Sequence, residues 1–248
     1  MNITGKTILV TGGGSGIGFE IAKLLSNDNK VIITGRSEER LRNAAAKLNN
    51  VSYIAADVNS ETDLKNIAQR LTNDFGGLDI LINNAGAADV HKLDEPGNDA
   101  YSIAASEINT NYLSVIKTID LLLPLLRKSP EAAIVNTTSI VAFAPGYNLP
   151  TYAASKAALH SYTRILRYSL AKTTGIKVFE LMPPLVNTEL SAPIGGENGI
   201  PPQQVAEELA AGFQNNEYEI HVGQTADMYQ LYLSSPEQAL QVLNQGRE

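Results

Sequence analysis

Short β-branched runs alternate with longer amphipathic stretches along most of this chain. Thr7–Val10, Lys30–Thr34, Val51–Ala55, Leu78–Ile82, Ala132–Thr137, Gly175–Leu181 and Tyr218–Val222 read as strands. Phe19–Ser26, Glu38–Leu48, Tyr152–Ala171, Gln203–Gln214 and Pro236–Asn244 carry helical periodicity between and after them. Ser60-Glu61-Thr62-Asp63 has the capping-box pattern in its acidic form and opens a helix to Phe75. One long helix is expected within Asp99–Lys128, with Asn111 inside it and Pro124 near its end. Strands that alternate with helices in this way predict an α/β fold with a parallel sheet of about seven strands and crossover helices. Ala87–Asn98, acidic and holding Pro96 and Gly97, reads as a loop. Residues 183–202 hold Gly195, Gly196, Gly199 and four of their five prolines near the ends, and read as a mobile segment suited to covering a substrate.

At 248 residues and 44% hydrophobic content, the chain is expected to fold as a single domain over 1–248, with no internal repeat. Its formal charge of -7 and pI near 5.1 argue against nucleic acid or an anionic membrane surface as partner. The absence of cysteine removes disulfides, thiol nucleophiles and thiolate metal sites. No apolar run approaches membrane-spanning length, no signal-peptide core precedes the first strand, and the expectation is a soluble, cytoplasmic protein. His91, His160 and His221 form no cluster with metal-ligand spacing, so no metal is expected, and His160 reads as a packed or partly exposed helix residue rather than a catalyst.

The first strand runs into Gly12-Gly13-Gly14-Ser15-Gly16-Ile17-Gly18 and then into helix. A glycine loop between strand end and helix start lets backbone approach a phosphate while helix N–H groups face its charge. The spacing Gly-x-x-x-Gly-x-Gly departs from the usual dinucleotide fingerprint and lacks the lysine ending of an NTP-binding loop. After the second strand comes Gly35-Arg36, where a site for NAD usually places an acid on the ribose hydroxyls. An arginine there pairs instead with a 2′-phosphate, which favours NADP. Asp57 and Val58 end the third strand where an adenine edge can be read. Asn83-Asn84-Ala85-Gly86 ends the fourth at the sheet's carboxyl edge, where ligands bind.

Tyr152 and Lys156, four apart at the start of a helix, share one face. An ammonium beside a phenol favours the phenolate and makes tyrosine a better proton shuttle. A second copy exists in Tyr168 and Lys172, and Ser155 precedes Tyr168 by the same thirteen residues that separate Ser139 from Tyr152. Ser155 and Tyr168 would lie roughly 20 Å apart along one helix, and Tyr168 about 160° round it from Tyr152. Ser139 instead closes a strand, and Pro145, Gly146 and Pro150 allow the chain to fold back and bring it to Tyr152. Asn111, an indifferent helix former, is placed to bend its helix or hold a water.

Thr11-Gly12-x-x-x-Gly16-x-Gly18, Asn83-Asn84-Ala85-Gly86, Asn111, Ser139 and Tyr152-x-x-x-Lys156 together resemble the short-chain dehydrogenase/reductase family in order and spacing. The resemblance implies a Rossmann-like, three-layer doubly wound sheet that binds NAD(P). It implies Tyr152 as acid/base and Lys156 on the nicotinamide ribose, with Ser139 on the substrate oxygen and Asn111 in a proton relay through water. It also implies cofactor contacts from the glycine loop, including Gly14, Ser15 and Ile17, and from Pro183, Val186 and Thr188. Pro183-Pro184 stands where the family usually has Pro-Gly. Together with Pro130–Val135 and Ala157–Ser161, this is similar to the branch of uncharacterised oxidoreductases named for the lipoteichoic acid D-alanylation operon.

The expected activity is hydride transfer between NADP and a small carbonyl or alcohol substrate. The competing reading is a catalytically idle NADP-binding redox sensor or partner protein, against which the intact Ser139, Tyr152 and Lys156 argue. A serine hydrolase built on Ser139 fails for want of a Gly-x-Ser-x-Gly elbow. Leu121, Leu122, Leu123, Leu125 and Leu126 exceed what one sheet face needs, so a homodimer or homotetramer is expected.

Overall fold

In the computed structural model, which describes residues 1–246, seven strands form one parallel sheet. They are β1 (Thr7–Thr11), β2 (Lys30–Gly35), β3 (Val51–Ala55), β4 (Ile80–Asn83), β5 (Ala133–Thr137), β6 (Lys177–Met182) and β7 (Glu219–His221). Their order is β3-β2-β1-β4-β5-β6-β7, so the winding direction reverses between β1 and β4. A crevice opens at such a reversal beyond the strands' carboxyl ends.

Both faces of this sheet are buried, which is why the strands read as continuous apolar runs. Ile8 and Val10 point into a core closed by α1 (Gly16–Leu25), α2 (Glu38–Ala45) and α7 (Pro202–Asn215). Leu9, between them, points the other way, into a core closed by α3 (Glu61–Asn73), α5 (Ser114–Leu126) and α6 (Pro150–Thr173). Helix–sheet–helix is therefore the three-layer doubly wound arrangement expected. A third, smaller cluster joins Ile140, Val141, Phe143 and Met182 to Ala239 and Leu243 of α9 (Pro236–Asn244), with Met228 and Tyr229 of α8 (Thr225–Ser234) against it.

Several boundaries differ from the sequence expectation for physical reasons. Helix α1 starts inside the glycine loop at Gly16, three residues before Phe19, because tertiary packing outweighs the low helix propensity of Gly16 and Gly18. The long helix expected over 99–128 is three pieces. These are α4 (Ala100–Ile108), a π-turn at Asn109–Leu113, and α5. One widened turn swings Asn111 inward, where it is fully buried, so the bend foreseen at this asparagine is a local change of helix type. Pro150 occupies the first turn of α6, two residues before the expected start at Tyr152; a proline is tolerated there because no intrahelical partner is lost. Helix α8 was not expected at all.

Residues 183–202 contain short 3₁₀ turns at Glu189–Ile194 and Gly196–Asn198 and a bridge between Val186 and Ile200. Among the described residues no helix is long and apolar enough to cross a membrane.

Candidate active site

At the end of β1 the glycine loop is shaped for close approach. Gly12 has φ +67°, and a Cβ there would stand 3.0 Å from the Ala85 backbone. A Cβ on Gly18 would lie 2.3 Å from the Gly12 carbonyl oxygen, so only glycine lets α1 pack this tightly on the loop. Ser15 sits at the N-cap of α1 without a side-chain cap bond, and no acid occupies the helix's first turn. The loop therefore presents N–H groups and a free hydroxyl, with no carboxylate to repel an anion. Thr11 Oγ1 accepts hydrogen bonds from the backbone of both Asn84 and Ala85, at 3.0 Å each, and Asn84 Nδ2 donates to the Thr11 carbonyl at 3.1 Å. The ends of β1 and β4 are thus fixed to each other, with Gly86 beside them.

Beyond β2, Arg36 is exposed and makes no hydrogen bond or ion pair among the described residues. Asp57 accepts from the Asn59 backbone at 2.9 Å, Val58 is buried beside it, and both lie before α3. Across the cleft, Pro183 and Val186 are buried, and Thr188 reaches the glycine loop, its methyl 3.1 Å from where a Cβ on Gly16 would be.

The four residues singled out for catalysis converge above β4 and β5. Ser139 ends the β5 turn, 7% exposed; its hydroxyl donates to the Pro183 carbonyl at 3.5 Å and accepts from the Val141 N–H at 3.3 Å, on the side of the Tyr152 phenol. Lys156, 3% exposed, lies one turn further along α6 with Nζ 5.6 Å from the Tyr152 ring centroid and 2.8 Å from the Thr137 carbonyl. Asn111 bonds the Ala87 backbone in both directions, at 2.8 Å each, and donates to Ser155 Oγ at 2.9 Å. The second Tyr-Lys pair is on the outer surface, with Tyr168 61% exposed beneath Lys172. Ser155, its would-be partner, is fully buried at the other end of the helix.

The electrostatics differ from the expectation that Lys156 lowers the tyrosine. Burial pushes Tyr152 up to about 12, the Ser139 hydrogen bond pulls it back, and the Glu107 charge raises it again. Burial lowers Lys156 to about 8. The ammonium is turned to the Thr137 carbonyl, so removal from water dominates both groups. In this state the phenol stays protonated and the lysine is charged at neutral pH.

Sequence reasoning passed over two groups. Thr11 entered only as part of a motif, and Glu107 as one residue of a long helix. Glu107 is fully buried one turn before Asn111 and bonds the Asp89 N–H and the Thr151 hydroxyl. A charged residue one helical turn before the inward-facing asparagine was the available signal. His160, foreseen as a packed helix residue, hydrogen-bonds the buried Glu180 at 2.8 Å.

Comparison with known proteins agrees with this geometry. The family model described as short chain dehydrogenase matches residues 6–199. An uncharacterised oxidoreductase of Bacillus subtilis strain 168, DltE, is 38% identical over 202 residues, covering 81% of this chain and 79% of the relative. An uncharacterised oxidoreductase of Staphylococcus aureus strain MW2 is 34% identical over 83% of this chain and 89% of its own. Among solved structures, a short chain dehydrogenase from Burkholderia cenocepacia J2315 in complex with NADP superposes with TM-score 0.84. The two are 25% identical, with 98% of each chain covered. A Burkholderia phymatum enzyme of the same class in complex with NAD gives TM-score 0.86 at 21% identity, covering 96% of this chain and 93% of the other, and shows the shared fold.

Proposed function

This chain belongs to the short-chain dehydrogenase/reductase family, as an oxidoreductase of the branch that includes DltE, and it is a pyridine-nucleotide-dependent enzyme. From that premise we propose that it transfers hydride between NADP and a small carbonyl or alcohol substrate, with Tyr152 as the acid/base. The observation that carries this reading is the Lys156 ammonium, buried one turn along α6 with Nζ 5.6 Å from the Tyr152 ring centroid, on the side where Ser139 follows β5.

The residues fit the cofactor. The glycine cradle, the Ser15 hydroxyl and the N-terminus of α1 suit a pyrophosphate. Arg36, exposed and unengaged where an acid would favour NAD, suits a 2′-phosphate. A recess of about 510 Å³ beside Gly14 and Ser15 is lined by Arg40 and Lys47 together with Glu39 and Glu189, and Arg40 is ion-paired to Glu189 at 2.7 Å. When bound, the nicotinamide supplies the hydride to a carbonyl carbon, or accepts it from an alcohol carbon. Ser139 hydrogen-bonds the substrate oxygen, and Tyr152 gives that oxygen its phenolic proton in reduction or takes one in oxidation. Lys156 holds the nicotinamide ribose and is the nearest charged donor to the phenol. The Asn111 side chain clamps Ala87 and Ser155, so a water relay at this position uses its backbone. Residues 183–202, hinged by the Gly195 and Gly199 turns, close over the substrate.

An idle binding protein has no use for an ammonium held at 3% exposure in a site that lowers its pKa. The test is a panel of carbonyl compounds followed by loss of NADPH absorbance, on parent, Tyr152→Phe and Tyr168→Phe. Tyr152→Phe should lose 10² to 10⁴-fold in rate, the usual range for general acid–base catalysis, while binding NADPH as the parent does. Tyr168→Phe should match the parent. Reduction of a good substrate at the parent rate by folded, NADPH-binding Tyr152→Phe would end this assignment.

A further inference from the structure

Helices α4 and α6 run side by side, and their polar contacts fall one turn apart. Asn111 meets Ser155 at 2.9 Å. Glu107 meets Thr151, one turn earlier on each helix, with Oε2 accepting from the Thr151 hydroxyl at 2.5 Å. The same two side chains also hold the chain between β4 and α4, for Asn111 binds the Ala87 backbone and Glu107 Oε1 accepts from the Asp89 N–H at 2.8 Å. Glu107 is fully buried. Both of its oxygens receive a donor, which is the requirement of an ionised carboxylate kept away from water. A buried carboxylate retained in this position has a use that packing alone does not explain, since an apolar side chain would fill the space at no desolvation cost.

We propose that Glu107 is a positioning residue for the reaction, fixing through Thr151 the first turn of α6 on which Tyr152 stands. The proposal rests on Tyr152 being the acid, as assigned above. The charged groups around the phenol are Glu107 from α4 and Lys156 on its own helix. Ser139 from the β5 turn is neutral, as are Tyr229 and Tyr232 of the hydrophobic cluster that Tyr152 joins. Lys156 spends its ammonium on the Thr137 carbonyl, leaving Glu107 as the charge that opposes phenolate. A phenol that resists ionisation is the weaker acid, so the Glu107 charge sets how far Tyr152 can ionise and favours neither direction of the reaction.

Glu107→Gln separates charge from shape. Its amide oxygen accepts from the Asp89 N–H, and its NH₂ donates to the Thr151 oxygen, so both bonds survive without the charge. The assay is ¹³C NMR of protein labelled at tyrosine Cζ, titrated with base, with Tyr152→Phe assigning the signal; it needs neither cofactor nor substrate. Glu107→Gln should lower the Tyr152 midpoint by about one pH unit, the low end of what a nearby charge imposes, and so raise the ionised fraction about tenfold at a given pH. The positioning role is read independently by hydrogen exchange at Ala153, whose amide bonds the Leu149 carbonyl in that first turn. Thr151→Val should speed this exchange about tenfold, as expected for one lost buried hydrogen bond, and Thr151→Ser should restore it. Should Glu107→Gln not fold, the Thr151 pair decides whether the rung positions the turn.

A Glu107→Gln titration that overlays the parent's, or Ala153 exchange unmoved by Thr151→Val, overturns the proposal. A shifted titration in a protein that reduces no carbonyl would instead count against the function assigned to Tyr152.

Discussion

Lys156 is where function and stability pull apart, and replacing it with methionine measures by how much. Burial lowers its pKa from the ordinary 10.5 to about 8. At about 1.36 kcal/mol per unit, that displacement corresponds to roughly 3 kcal/mol of unfavourable free energy for holding an ammonium there. The Thr137 carbonyl loses its donor in the variant, at a cost of about 1–3 kcal/mol for a buried acceptor left unpaired. At pH 7 the two terms leave Lys156→Met more stable by about 1 kcal/mol, or about 2–4 °C in Tm for a chain of this size. The sign of the pH dependence is the sharper test. Below about pH 8 both folded and unfolded parent carry the proton, so the folded protein bears the full cost. Between 8 and 10.5 the unfolded chain holds more protons than the folded one, and parent stability rises with pH relative to the variant. Above 10.5 only the orphaned carbonyl remains, and the parent is the more stable. Thermal melts of both proteins from pH 6 to 10.5 should therefore show the Tm difference constant, then shrinking, then reversed. A difference that stays flat across this window, or a methionine variant that is the less stable at pH 7, would refute the reasoning. The same variant should lose NADPH affinity, since the ribose contact proposed for Lys156 goes with the ammonium.

Other outcomes follow from the site and its surroundings. NADPH should bind at least about tenfold more tightly than NADH, the worth of one charge-assisted contact, and Arg36→Ala should erase most of the gap; equal dissociation constants for the parent in fluorescence titrations would exclude the 2′-phosphate reading. The Glu180 hydrogen bond holds His160 above its ordinary pKa of 6.5, so its contribution is full below 6.5 and fades as pH rises through the folded value. The Tm gap between parent and His160→Asn should accordingly be widest near pH 5–6 and narrow toward alkaline pH. The leucines behind the expected oligomer, Leu121, Leu122, Leu123, Leu125 and Leu126, lie in the core or packed against it, while Tyr101, Leu113, Ile165 and Tyr168 are exposed on α4, the π-turn and α6; solution scattering at micromolar concentration should give a dimer or tetramer mass, and a monomer would remove that expectation.

What could be read from the chain was whatever depends on local pattern. Strand after strand was legible because a sheet buried on both faces writes itself as β-branched runs, and the choice of Tyr152 over Tyr168 needed only helix geometry. The features that escaped depend on registration between distant segments. Glu107 becomes a buried anchor because Asp89 and Thr151 arrive beside it, and its spacing one turn before Asn111 was the one hint of that in the sequence. The π-turn at Asn109–Leu113 exists because Asn111 must reach both Ala87 and Ser155, a demand set 24 and 44 residues away. Helix α8 stayed hidden because its sequence, Thr-Ala-Asp-Met-Tyr-Gln-Leu-Tyr-Leu-Ser, buries only Thr225 fully and spreads its large side chains over a small cluster. The expected lowering of Tyr152 failed for a related reason. Spacing places an ammonium near a phenol, but only the fold decides that it points at a carbonyl and that burial dominates.

The same dependence on distant partners is visible in the face that α6 turns inward. A helix on a sheet normally buries an apolar stripe, yet α6 buries Ser155, Lys156 and Thr163 on that side. Each is bonded: Ser155 to Asn111 and to the Tyr152 carbonyl, Lys156 to the Thr137 carbonyl, Thr163 to Asn136. Asn136 in turn accepts from Asn83 across the strands, so a polar seam runs beneath the residues proposed for catalysis. A seam of this kind stabilises little in itself, because its hydrogen bonds replace others made to water. What it does is penalise every other register, since sliding α6 by one residue would strand several buried polar groups at about 1–3 kcal/mol each. The hydroxyl of Tyr152 must meet a reacting oxygen within hydrogen-bond reach of Ser139, a tolerance that greasy packing alone does not guarantee. The polar face of α6 is therefore the device that fixes its height and rotation over the sheet, and with them the position of the Tyr152 hydroxyl.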